Sequence, residues 1–188
     1  SVKPARILGI DPGLSGGWAV LDGKGQLINC GHFPTHTVKK NGKNSTQLDG
    51  AAVADVLELN GYDIPTIFGD LRQSPGHFVQ AFVEAVSSRP RQAGQFQFGI
   101  NTGLIHGVLH ALNIPFELVS PVLWKSAYGL KRGEDQTKGD MKSLARDVAA
   151  QLFPKHASKF SKVKDDGVAE AALIARYGYL KIQHHDGD

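Results

Sequence analysis

The chain reads as an α/β protein, a mixed sheet that opens with an antiparallel meander and is flanked by helices. Apolar runs split by short Gly-containing turns fill residues 6–33, and apolar residues recur at helical spacing in four later stretches. Short apolar runs rich in Phe, Val and Leu stand between those stretches. At 188 residues and 41% hydrophobic the chain suffices for one well-filled core. A single domain over 1–180 is therefore expected, with 181–188 as a flexible tail.

Strands are expected at Arg6–Asp11, Gly17–Leu21 and Gln26–Phe33, the last two joined through the turn Asp22-Gly23-Lys24-Gly25. Turns this short force antiparallel pairing. A polar loop, Thr35–Asn44, follows, and Thr46-Gln47-Leu48-Asp49 reads as a helix start. Ala51, Ala52, Val53, Val56, Leu57 and Leu59 supply that helix with an apolar face. Ile64–Phe68 reads as a short strand and Gly69–His77 as a loop. Periodicity leaves Phe78–Val86 open between strand and buried helix, while the Phe and Val content of Ala81–Val86 favours strand.

Beyond Gln95, the apolar set Leu104, Ile105, Val108, Leu109 and Leu112 marks an amphipathic helix that Asn113-Ile114-Pro115 stops. Phe116–Val119 is a strand, Pro121–Tyr128 a short helix or turn, and Gly129–Gly139 a charged loop. Two helices close the chain. One runs over Asp140–Phe153, with Leu144, Val148 and Leu152 on its apolar face, and the other over Asp166–Tyr177, before a frayed tail at His184-His185-Asp186.

The single cysteine, Cys30, excludes an internal disulfide and any thiolate metal cage, and packing in the core is its expected role. No apolar run has the length of a membrane span, and the first residues hold no signal-peptide core, so no membrane partner is expected. A reducing compartment without secretion is the expected location, and a removed targeting segment stays open. The formal net charge of +3 is compatible with a polyanionic partner. Basic residues gather at Lys39, Lys40 and Lys43, at Lys125, Lys131, Arg132, Lys138 and Lys142, and at Lys155, Lys159, Lys162 and Lys164. Each group fits a phosphate-backbone contact or a solvated loop tip.

Ile7-Leu8-Gly9-Ile10-Asp11-Pro12-Gly13 ends an apolar run in one carboxylate at a turn. Glycines at 13, 16 and 17 would let a phosphate backbone or a hydrated metal approach Asp11, although Asp-Pro-Gly also satisfies a plain turn. Glu84 lies in the apolar run Phe82–Val86, where a charge is costly unless paired or metal-bound, or else faces solvent at the strand end. Asp166 and Glu170, four apart, share one helix face. They fit either a shared cation or, with Asp165, the acidic cap of a helix N-terminus. Hard oxygen ligands without Cys or a spaced His pair suit Mg²⁺ or Mn²⁺ rather than zinc. A pair of such ions can activate water and stabilise a leaving oxygen in phosphodiester cleavage. A nucleophile elbow, a Walker loop and a dinucleotide glycine fingerprint are all missing, so no nucleotide cofactor is expected.

The ordered set Gly9-Ile10-Asp11-Pro12-Gly13 with Ser15–Val20, Val83-Glu84-Ala85-Val86 with Pro90, Gln92 and Gly94, and Phe96-Gln97-Phe98-Gly99 with Gly103 resembles the RuvC-type Holliday-junction resolvases. Pro115–Val119, Pro121-Val122-Leu123-Trp124-Lys125, Gln151–Pro154 and Lys164-Asp165-Asp166-Gly167-Val168-Ala169-Glu170-Ala171 are similar to their phage-type and chloroplast-type branches. The resemblance spans about residues 6–178. It implies an RNase H-like fold with a mixed five-stranded sheet, acting as a homodimer that nicks opposed strands of four-way branched DNA with Mg²⁺. Mn²⁺ would substitute, and two ions per site are implied.

The family's metal carboxylates carry over to Asp11, Glu84 and Glu170, with Asp166 or Asp165 as the fourth. The spacing back from Glu170 is four or five rather than the simplest three, and Asp70 competes for the second position. Lys138 or Lys142 is the implied phosphate or transition-state contact, Lys142 being counted with the catalytic set. DNA contacts are implied at Lys125, Lys131, Arg132, Lys138, Lys142 and Arg91. The helix over Gly99–Leu112 resembles the family's dimer element. Two rival classes remain: a branched-DNA-binding protein without chemistry, and a phosphotransferase of the actin-like ATPase class. The latter needs two lobes, each opening on such a strand turn, and this chain has one.

Overall fold

The computed structural model describes residues 2–62, 78–86 and 93–185. The expected strand Ile64–Phe68, the loop Gly69–His77 and the candidates Asp70 and Arg91 lie outside the described residues.

Strands β1 (Arg6–Asp11), β2 (Gly17–Asp22) and β3 (Leu27–His32) form the antiparallel meander, with Asp11 opposite Gly17 and Gly17 opposite His32. The next segment departs from expectation. In place of a polar loop and a helix start, β4 (Thr35–Lys40) and β5 (Lys43–Leu48) pair as a separate hairpin. Asn41 and Gly42 at its tip have φ of 51° and 74°, the left-handed pair of a two-residue turn whose twist suits the flanking strands. Polar residues on both faces leave no alternation to read, which hides the strands from pattern analysis. Helix α1 (Gly50–Gly61) then starts later than expected, capped by the Asp49 carboxylate, which accepts from Ala52 N at 3.1 Å.

Strand β6 (Val79–Glu84) runs parallel to β1, and β7 (Phe116–Val119) runs parallel to β6. The sheet order is β3-β2-β1-β6-β7. Helix α2 (Gln95–Ala111) lies between those strands in the chain, and Asn113, with φ of 55°, turns the backbone out of it. Helices α3 (Pro121–Ala127), α4 (Lys138–Leu152) and α5 (Asp166–His184) complete the chain. Helix α4 starts at Lys138 rather than Asp140, because Thr137 and Asp140 form a capping box. Helix α5 continues past Tyr177 through residues 181–184, which were expected in the flexible tail. Lys181 pairs with Glu117 and Lys3 Nζ donates to Gln183 at 2.7 Å, so the last turns are tied to the body. No helix among the described residues is long and apolar enough to cross a membrane.

Alternation along the strands splits the core into two layers. Leu8, Ile10, Val20, Val79, Ala81 and Val83 pack with α1 and α2 residues such as Leu57 and Ile105. Ile7, Ala19, Leu21 and Phe82 pack on the other face with Trp124, Ala149 and the α5 residues Ala171, Ala172 and Ala175. Cys30 belongs to this second layer, where burial pushes its thiol up to about 11. Gly9 is what lets α5 press on β1. A Cβ there would lie 2.1 Å from Ala171 O and 2.6 Å from Ala175 Cβ.

Candidate active site

Ile10 sits opposite Val83 in the parallel pair, so Asp11 and Glu84 follow side by side where the two strands end. Period two then fixes their direction. Asp11 shares a face with Ile7 and Gly9, and Glu84 with Phe82, which is the face that α5 covers. The N-terminal turn of α5 abuts the Gly13–Gly17 turn, since a Cβ on Gly167 would stand 2.3 Å from Ser15 O. Glu170, one helical turn further on, brings its carboxyl against that of Asp11.

Two carboxylates this close repel, and a proton or a cation relieves that repulsion. Burial, followed by the charges of Glu170 and Glu84, holds the Asp11 carboxyl well above the ordinary carboxylate range, and Lys125 offsets part of this. Glu84 is also raised, first by burial. The bond from Trp124 and the charge of Lys125 pull it back, and Glu170 pushes it up. Trp124, wholly buried on α3, donates its indole N–H to Glu84 Oε2 at 2.8 Å.

Cavities of about 700 Å³ and about 510 Å³ meet at these carboxylates. Glu84, Lys125, Arg132, Lys138 and Lys142 line the first, and Asp11, Asp166, Lys142 and Lys164 line the second. Glu170 and Phe98 border both. Lys131, exposed, borders neither cavity.

Asp166 borders the cleft, but its carboxylate turns to α4. Arg146 Nε lies 2.9 Å from Oδ1, and Lys142 Nζ lies 4.0 Å from Oδ2. Asp165 is not brought into the cluster. It accepts from His32 Nε2 at 3.0 Å and from Lys162 N at 3.0 Å, and it borders a separate hollow beside Cys30 and Lys159. Burial alone would raise its carboxyl, but those hydrogen bonds outweigh burial and leave it lowered.

Among the described residues no three His, Cys, Asp or Glu side chains close on one point in a metal-binding arrangement. The donor set nonetheless fits a hard divalent cation. Asp11, Glu84 and Glu170 offer only oxygen, and the burial and mutual repulsion that raise Asp11 and Glu84 are costs that a cation would relieve.

Two site residues escape sequence reading. Trp124 acts on a residue 40 positions away, and no spacing rule links them. Arg146 had a readable signal, because it continues Lys138 and Lys142 at steps of four along α4.

No protein-family model matches the sequence, and no curated protein matches it either. Among solved structures, T. thermophilus RuvC in complex with a Holliday junction substrate aligns at TM-score 0.52 and 14% identity, over 95% of this chain and 95% of that one. T. thermophilus RuvC alone aligns at 0.47 and 15%, over 95% and 96%. The yeast mitochondrial Holliday junction resolvase aligns at 0.41 and 17%, over 100% and 84%. The five-stranded order, two parallel strands beside an antiparallel meander, is thus the RNase H-like fold that RuvC has.

Proposed function

We propose that this protein is a metal-dependent endonuclease selective for four-way DNA junctions, a Holliday junction resolvase of the RuvC type. The observation that carries this reading is the grouping of Asp11, Glu84 and Glu170 along two adjoining cavities whose lining also includes Lys125, Arg132, Lys138 and Lys142. Acidic and basic side chains lining one cleft suit a phosphodiester held against cations.

Asp11, Glu84 and Glu170 would hold Mg²⁺, or Mn²⁺ in its place, with two ions per site. Such ions activate a water and stabilise the leaving oxygen. Trp124 fixes one oxygen of Glu84, and Lys125 lowers the repulsion between Asp11 and Glu84. Lys138 and Lys142 line the same cleft as Glu84 and Glu170, and their charge would favour the negative charge that develops on a phosphate there. Phe98, 40% exposed beside the carboxylates, offers a face on which an unpaired base can stack.

A homodimer fits α2. Phe96 and Ile100 are 80% and 46% exposed, and Gly99, Gly103 and Gly107 leave open space along the same face. Two-fold symmetry about such a contact would set two clefts against opposed strands of one junction.

The deciding assay incubates the purified protein with a mobile four-way junction and Mg²⁺, with linear duplex and flap DNA as controls. Paired nicks confined to the junction are expected. Asp11→Asn should abolish them while junction binding survives. Binding without nicks under any divalent ion would make the protein a branched-DNA binder instead.

A further inference from the structure

The β4–β5 hairpin has no role in the cleft, and its design is unusual for a structural element. It forms its own two-stranded sheet, and of Thr35–Leu48 only Leu48 is buried. A lone two-stranded hairpin is marginal in water, so this one gains little from its surroundings. Its chemistry is one-sided. Residues 35–48 include Lys39, Lys40, Lys43 and His36 and no Asp or Glu. The pairing register even sets Lys40 directly opposite Lys43 at the tip, a like-charge cross-strand pair that is unfavourable without an anion near it. His36 Nδ1 lies 3.8 Å from Asp49 Oδ2 at the root, whereas no ion pair among the described residues engages Lys39, Lys40 or Lys43.

The root is placed to matter. His32, where β3 ends, is opposite Gly17, and Gly17 is opposite Asp11. The arm therefore springs from the same end of the sheet as the carboxylates, two strands or about 10 Å across. Six residues per strand carry its tip about 20 Å outward.

From this placement and charge we infer that the hairpin is a DNA-backbone arm, which grips the phosphates of a duplex arm outside the cleaved step through Lys39, Lys40 and Lys43. A two-stranded ribbon of this width suits a DNA groove. Val38 is the apolar side chain nearest the tip, and Asn44, Ser45 and Thr46 supply hydrogen-bond groups, so the arm positions the duplex rather than reading its bases. This inference rests on the nuclease reading.

The test is the salt dependence of four-way-junction binding, measured by fluorescence anisotropy with Ca²⁺ in place of Mg²⁺ to prevent cutting. The variant combines Lys39→Ala, Lys40→Ala and Lys43→Ala. A control of equal charge change combines Lys3→Ala, Lys24→Ala and Lys181→Ala, which lie towards the opposite end of the sheet. Three lost phosphate contacts should reduce the slope of log K against log salt by about 2.7 and weaken binding at least about tenfold near 0.1 M salt. The control should leave the slope near its original value, and matched thermal unfolding shows that the arm variant is folded. An unchanged slope in the arm variant, or an equal fall in the control, overturns the arm while the nuclease reading stands. A wild-type protein that neither binds nor nicks junctions overturns both. Arm lysines that matter only for capture of an acidic protein would also leave the DNA slope unchanged, and so count against the arm.

Discussion

The indole N–H of Trp124 donates to Glu84 Oε2 at 2.8 Å from a fully buried position on α3, and Lys125 Nζ lies 5.4 Å from the centre of the same ring. One short helix thus delivers both an oriented donor and a positive charge, and each offsets part of the rise that burial imposes on the Glu84 carboxyl. Trp124→Phe keeps an aromatic ring and removes the donor, so Glu84 should hold its proton more tightly. Mn²⁺ affinity by titration calorimetry should fall by about tenfold to a hundredfold, the usual cost of losing a partner that orients a ligand. In a Glu84→Ala background the same change should have little further effect. An equal loss in both backgrounds would mean that Trp124 only fills space.

The Asp11–Glu170 contact predicts how stability follows pH. Asp11 and Glu84 both have raised folded-state values, so the folded chain binds their protons more tightly than the unfolded chain does. Their contribution is complete below the ordinary carboxylate range, near about pH 4, and is lost as pH rises through the raised values. With chelator present, the wild-type melting temperature should fall relative to that of Asp11→Asn as pH rises above the ordinary carboxylate range. Millimolar Mg²⁺ should recover the wild type and not the variant. A pH-independent difference in calorimetry would contradict the charge coupling.

Asp165, Asp166 and Glu170 are separable by mutation. Asp165 is bonded to His32 and to the backbone of Lys162, so its task is to hold the turn that leads into α5. Asp165→Asn should destabilise the fold by about 1–3 kcal/mol, as expected for a buried charge-assisted bond, while divalent-dependent nicking persists. Its lowered carboxyl adds stability above the ordinary range that is lost as pH falls through the lowered value, so acid should narrow the gap between variant and wild type. Glu170→Gln should reverse the pattern, with stability kept and nicking gone. A nicking rate that disappears in Asp165→Asn would move Asp165 into the metal set.

Much of this architecture was legible because its signals are local or periodic. The meander, the strand Phe116–Val119 and helix α2 follow from apolar spacing and Gly turns, and Asp11 and Glu84 stand out as an acid ending one apolar run and an acid inside another. What stayed hidden lacked contrast. The β4–β5 hairpin is polar on both faces, and its Asn41-Gly42 turn is the one local cue that it is not a loop. Helix geometry favours Asp166 over Asp165, but spacing does not show where either carboxylate points, which depends on partners on β3 and α4. The tail looked frayed because the groups that anchor α5, Glu117 and Lys3, are remote in sequence.

Helix α2 leads to the remaining prediction. Along its outer face Gly99, Gly103 and Gly107 are spaced by four, and a Cβ at any of them would meet nothing within 4 Å. Glycine costs a solvent-exposed helix about 1 kcal/mol per position relative to Ala, so three on one face disfavour an isolated helix. Close approach of a second backbone, with Phe96 and Ile100 buried alongside, would offset that cost. The 20.2 kDa chain should therefore elute as a species of about 40 kDa by light scattering. Gly103→Arg puts a long charged side chain in the contact, and should return the protein to one chain per particle. The same substitution improves helix propensity, so the melting temperature of the separated chain should not fall for local reasons. Paired nicking should decay to single, uncoordinated nicks, because each cleft would then meet its strand alone. A Gly103→Arg protein that stays dimeric places the contact elsewhere on the surface.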